Sequence, residues 1–180
     1  MRCLIVPTLI MLPFVVACGG NPYGYAPFYA PLSQEEPYLE KGIDQSYEEV
    51  RRDPAGHRQE LIAWFGVVDD VQKAGGSGQT RAAMSLHFHR ERHLCTDQFD
   101  SSCRVTISDK AGGPFSVLLT LKPEDRDGRD RLYAGSLLKV YGHVMTEYDD
   151  RGGPIIKADY YRHWPRGMYV TTGRAGNMRR

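Results

Sequence analysis

Net charge is nearly absent. The 180 residues hold 23 Lys+Arg against 22 Asp+Glu, a formal +1. No global positive field exists to gather nucleic acid. Signature motifs are missing too: G-x-S-x-G, the P-loop, G-x-G-x-x-G, H-E-x-x-H and C-x-x-C do not occur. The common serine hydrolase, nucleotide, zinc-protease and dithiol chemistries therefore have no local support. No repeat of solenoid length and no heptad pattern is present, which sets aside solenoids and coiled coils. Cysteine is scarce, with four in all. Two of these, Cys3 and Cys18, fall in the first eighteen residues.

That N-terminal stretch is the first positive signal. Met1 and Arg2 precede LIVPTLIMLPFVVA, apolar apart from Thr8. A charged start, an apolar run and small residues before a cut form the plan of a secretory signal. The run is shorter than the roughly 20 apolar residues of a membrane-spanning helix. Pro7 and Pro13 also interrupt it, each removing a helix donor. Its ending, Val15-Val16-Ala17-Cys18, resembles a bacterial lipobox. The resemblance implies cleavage between Ala17 and Cys18, diacylglycerol on the Cys18 thiol and an acylated new amino terminus. An ordinary signal peptide with a chance cysteine is the alternative. Several acyl chains give stable anchoring where one does not.

Removing residues 1–17 leaves 163 residues, enough for one domain with a real core. Arg2 is the one charged residue removed, so the remainder is formally neutral. Eleven Tyr and 19 Gly fit a turn-rich β fold better than a helical bundle. Cys95 and Cys103 remain in HLCTDQFDSSC. In an oxidising compartment this spacing reads as a disulfide closing a short loop, while a redox pair would more often be C-x-x-C. Metal ligation by the two thiols with His93 is the other reading.

Residues 18–45 are rich in Pro, Gly and Tyr without a periodic apolar face, and read as a lipidated Cys followed by a flexible tether. Ser46-x-x-Glu49 predicts a capping box opening a helix over residues 46–52, stopped by Pro54 and Gly56. Extended runs follow at 61–73, 81–91, 104–109, 114–121, 136–149 and 155–164. With 104–109 and 114–121 taken as one run broken by a turn, there are five. The first and fourth are long and carry Gly66 and Gly142 at mid-strand. The polar connection 122–134 has room for one helical turn. The expectation is an all-β protein with small α content: a five-stranded OB-fold-like Greek-key barrel over 46–166, preceded by a short helix. Gly66 and Gly142 would mark the bends that close it. Residues 167–180 read as a basic C-terminal tail. A β-sandwich needs about seven strands and does not fit the space comfortably.

Taken together, the lipobox at Cys18, SYEEVRRDP, AWFGVVDDV, KVYGHV, and IIKADYYRHW followed by YVTTG resemble the Slp-type outer-membrane lipoproteins. The likeness spans most of residues 46–173. HFHRERHLCTDQFDSSC is an insertion relative to that pattern. The resemblance implies an OB-like envelope protein and supplies no catalytic residue. Gly19 after Cys18, where an inner-membrane retention signal commonly has Asp, leans the same way, towards the outer membrane facing the periplasm.

Candidate chemistry is thin. His87 and His89 would share one side of a continuous strand, and with His93 could hold zinc or copper. Three histidines beside three charges are equally an ordinary solvent-facing strand end. Asp69-Asp70, Glu124-Asp125 and Asp149-Asp150 are neighbours in sequence, and strand neighbours point to opposite faces. Tyr160, Tyr161, Arg162, His163, Trp164 and Arg166 come nearest to a nucleic-acid stacking surface, which needs a positive groove. The sequence therefore reads as a non-enzymatic, lipid-anchored binding or scaffolding protein without cofactor or nucleic acid. Its partner would be an envelope protein or glycan. A periplasmic lipoprotein binding metal, glycan or a small ligand through His87, His89 and His93 is the alternative.

Overall fold

The computed structural model describes residues 31–74, 78–93 and 105–175, without the side chains of 89–93 and 175. Ala17, Cys18, Cys95 and Cys103 lie outside the described residues, as do 1–30 and 176–180. No helix among the described residues is long and apolar enough to cross a membrane.

Five strands close a barrel: β1 (Ile62–Ala74), β2 (Gln79–Leu86), β5 (Pro114–Leu119), β6 (Leu137–Tyr148) and β7 (Pro154–Trp164). Their order is β1-β2-β5-β7-β6 and back to β1. Every pairing is antiparallel except β5 with β7. That is the Greek-key order of an OB-like barrel. Alternation fills it. Ile62, Trp64 and Val68 of β1 point inward with Met84, Phe115, Leu138, Val140 and Ile156. Helix α2 (Tyr47–Arg52) closes one end, giving Tyr47 and Val50 to the same core. Tyr47 donates its hydroxyl to the Pro114 carbonyl, and Trp64 donates its indole N–H to the Gln45 carbonyl.

The two mid-strand glycines serve different purposes. The β6–β7 register shifts between Tyr141 and Gly142, and a Cβ on Gly142 would overlap the Lys157 carbonyl. Gly142 is thus a close backbone approach at a bulge. At Gly66 the register is regular, and the β1–β2 shift falls instead between Val68 and Asp70. A Cβ on Gly66 would meet the Phe115 ring and the Met84 methyl within 2.8 Å. This glycine makes room for core side chains.

Four local expectations are corrected. The run 81–91 is two strands: β2 ends at Leu86, and β3 (His89–His93) begins a second sheet. Residues 104–109 are not part of the barrel. They supply β4 (Val105–Ile107), which pairs with β3 and, in parallel, with β8 (Tyr169–Thr171). The segment read as a basic tail therefore contributes β8 and α4 (Thr172–Ala175), held by Asp109 accepting from Thr172 Oγ1 and Gly173 N–H. Ser46 makes no side-chain cap bond. Glu49, its expected capping-box partner, accepts from Gln45 Nε2 at 3.0 Å instead.

Candidate functional site

The outer face of β1, β6 and β7 is a lattice of directly opposed residues. Ala63, Tyr141 and Tyr160 form one row; Phe65, Lys139 and Arg162 the next; Val67, Leu137 and Trp164 the third. Such a face would ordinarily meet water, yet Lys139 and Arg162 are buried. The small β3-β4-β8 sheet covers the third row with Val105, Ile107, Met168 and Tyr169. The segment before α2 covers the others. It carries α1 (Glu36–Leu39), and Ile43 bridges in parallel to Ile62 at the start of β1. Residues 32–45 are therefore part of the folded domain, where a tether was expected. Tyr38 stacks on Tyr160 at 5.0 Å between centroids, which repays the ordering of this strap with aromatic burial.

Glu35 fixes the strap. Its carboxylate is fully buried and accepts from Tyr141 OH at 2.7 Å, Arg162 Nη1 at 3.3 Å and the Leu32 N–H at 3.2 Å. Lys139 Nζ stands 3.6 Å from it and lies over the rings of Phe65 and Tyr141. Burial pushes the Lys139 amine down to about 8, with the Arg162 charge adding to that and Glu35 opposing it. The same burial, reinforced by Glu35, pushes the Tyr160 phenol up.

Between strap and barrel lies a cavity of about 250 Å³. Phe65, Ala63 and Leu86 form its apolar lining, and Leu39 of the strap and Phe88 flank it. Asp44, His87 and Lys139 are its ionisable groups. Burial raises the Asp44 carboxyl, opposed by the Lys139 charge. His87 Nδ1 lies 2.9 Å from the Ser108 carbonyl, which can only accept. The ring proton therefore sits on Nδ1, and Nε2 of the neutral ring is an acceptor. An apolar hollow with a few convergent polar groups and a shifted lysine is the usual form of a binding site. His87 is the one residue of this cavity that sequence reasoning singled out. Lys139 had a usable signal: a lone charge inside the apolar run LLKVYG must find a buried partner.

The histidine constellation is not assembled as expected. His87 falls in the break between β2 and β3, so it does not share a strand with His89 and His93. The side chains of His89 and His93 lie outside the described residues. Among the described residues, no group of three His, Cys, Asp or Glu could hold a metal.

A second cluster brings Asp125 and His163, which the sequence reading named separately and in other roles, together with Ser136, which it did not name. His163 Nδ1 is 2.6 Å from Asp125 Oδ1, and His163 Nε2 is 3.0 Å from Ser136 Oγ. These are the contacts of a Ser-His-Asp triad. Ser136, however, is 0% exposed, and the Asp125 and His163 side chains are each 6% exposed. No substrate carbonyl can reach the hydroxyl in this arrangement. The cluster instead locks α3 (Pro123–Arg126) onto the barrel, with Tyr161 OH donating to Asp125 and the Lys122 N–H donating to Tyr161. Burial alone would raise the Asp125 carboxyl, but the hydrogen bonds from His163 and Tyr161 outweigh it and hold it low.

The hollow of about 290 Å³ beside the β6–β7 turn is similarly occupied by its own contacts. Arg151 donates to Asp69 and to the carbonyls of Met84 and Phe115. Buried Asp149 accepts from Ser116 Oγ and two turn amides. Its arginine is spent on tying the turn to β2 and β5.

No family model matches the chain, and no curated protein matches it.

Proposed function

We propose that the chain is a lipid-anchored protein of the bacterial envelope whose barrel serves as a non-enzymatic binding or scaffolding module. One observation carries the anchor: an apolar, proline-interrupted run ends in Val15-Val16-Ala17-Cys18 and gives way at once to Gly and Pro. The resemblance to Slp-type lipoproteins, and Gly19 after Cys18, support the outer membrane facing the periplasm. Burial of Ser136 supports a binding role over hydrolysis. The cavity beneath the strap supplies the surface for a partner.

A disulfide between Cys95 and Cys103 belongs to the same reading. His93 pairs with Val105 across β3 and β4, two residues from each cysteine.

Mass spectrometry of the mature N-terminus tests the anchor. A triacylated or diacylated Cys18 as the first residue is the expected result, with Cys18→Ser unprocessed or unlipidated. An unacylated chain beginning elsewhere overturns it. The cavity also favours a second reading, a periplasmic lipoprotein that binds a small ligand beside Lys139 and His87, over metal binding by His87, His89 and His93.

A further inference from the structure

The cavity is small. Its volume of about 250 Å³ lies below the roughly 300–1,000 Å³ usual for whole small-molecule sites. It is large enough for a single anchoring side chain, the unit on which protein interfaces concentrate their energy. Its mouth is greasy. Phe88 is 50% exposed and Leu39 is 36% exposed, two of the four large apolar residues left exposed among the described residues. Its interior offers a specific polar pair. The Lys139 ammonium sits 5.2 Å from the Phe65 ring centroid, so a second ring entering beside Phe65 meets a cation. His87 Nε2 is an acceptor, because Nδ1 is committed to the Ser108 carbonyl. The strap that flanks the cavity has the opposite sign to Lys139. Its exposed charges from Glu35 to Asp44 are Glu36, Glu40, Lys41 and Asp44, a net −2, and Asp44 is the one of them that lines the cavity.

We propose that this cavity seats a tyrosine side chain carried by a basic polypeptide segment. The ring lies against Phe65 between Leu39 and Phe88. The phenolic hydroxyl donates to His87 Nε2. Lysines or arginines flanking the anchor meet Asp44 at the cavity and the acidic strap that carries it. Rim charges of this kind steer encounter and select partners more than they add affinity. The proposal deepens the binding reading above and is independent of the lipid anchor, whose failure would appear in the N-terminal mass alone.

The test uses the mature chain, ¹⁵N-labelled, and three acetylated, amidated probe pentapeptides: Lys-Lys-Tyr-Lys-Lys, Lys-Lys-Phe-Lys-Lys and Glu-Glu-Tyr-Glu-Glu. The first should shift the amide signals of Phe65, His87 and Phe88. The phenylalanine peptide should bind about fivefold more weakly, the worth of one neutral hydrogen bond. The acidic peptide should bind weakest. Phe88→Ala should weaken the first peptide about tenfold while the spectrum stays folded, since half of that ring already faces solvent. No shift with millimolar peptide, shifts confined to other faces, or equal or tighter binding of the acidic peptide overturns the proposal. So does displacement of the first peptide by decanoate, which would make the cavity a site for acyl chains.

Discussion

The inner and outer faces of β1, β6 and β7 are built on opposite principles. Inward, Trp64, Leu138, Val140 and Tyr161 meet other strands of the same barrel, and alternation alone selects them. Outward, Phe65, Lys139, Arg162 and Trp164 are covered by pieces from three parts of the chain: the strap at 32–45, β4 in the middle and β8 near the C-terminal end. The inner core is apolar apart from Thr80 on β2 and, on β7, the Tyr161 hydroxyl and His163, both of which bond to Asp125. The outer one is centred on a buried carboxylate with two buried cations. A barrel can thus carry a second core on its outside, held by charge and aromatic stacking. The cavity exists because the strap does not seal that core completely.

The largest difference between the faces should come from the charge. Glu35→Gln removes the carboxylate that Lys139 and Arg162 share. It should cost about 3–5 kcal/mol, the usual penalty for breaking a buried ion pair from one side. Urea melts measure it. Replacing Glu35, Lys139 and Arg162 together by apolar residues should cost much less, because such cores tolerate neutral fillings. A small loss for Glu35→Gln alone would mean that the outer core is not held by charge.

The glycines come next. Gly142→Val pushes a side chain into the Lys157 carbonyl, and backbone must move. We expect a loss of about 1–3 kcal/mol from strain and overpacking. At Gly66 the obstacles are the Phe115 ring and the Met84 methyl, and the latter can turn away. Gly66→Val should therefore cost less than Gly142→Val in the same melts. The reverse order would place the tight approach on the wrong strand.

A pH effect is the subtlest. The Lys139 amine titrates near 8 when folded, against 10.5 for the free side chain. Between these values the unfolded chain binds the extra proton, so stability rises with pH across that window. Tyr160 and Tyr161 are shifted up, so they act in the opposite direction only once the unfolded phenols ionise near 10. Melts at pH 7.5 to 9.5 should show the rise, and Lys139→Met should flatten it. A rise that survives Lys139→Met would assign the titration elsewhere.

The inner face was legible in the sequence for a simple reason. A β-branched and aromatic strand that fills a barrel announces itself by composition and period, and Gly142 marks the bulge. The outer face was not legible. Residues 32–45 contain Pro, Gly and single aromatics with no period, because the strap packs one residue at a time on a surface made elsewhere. The C-terminal strand was hidden by its three-residue length, although Tyr169-Val170-Thr171 has strand composition. The end of β2 was disguised, since Phe88 and His89 continue its alternation across a break. Asp125, Ser136 and His163 stand on separate segments, and only the fold brings them together. The one local hint of the outer core was a charge where none belonged, Lys139 in β6 and Arg162 in β7.

Amide hydrogen exchange on the mature chain tests the central claim most directly. The strap is bonded into the barrel through Ile43 N–H to the Leu61 carbonyl and Ala63 N–H to the Ile43 carbonyl. Its amides at Gly42 and Ile43 should be protected together with those of β1. In Glu35→Gln they should lose protection before the amides of Trp64 and Val140 do. Gly42 and Ile43 exchanging at unprotected rates in the unaltered chain, while β1 stays protected, would contradict the account and return residues 32–45 to a tether.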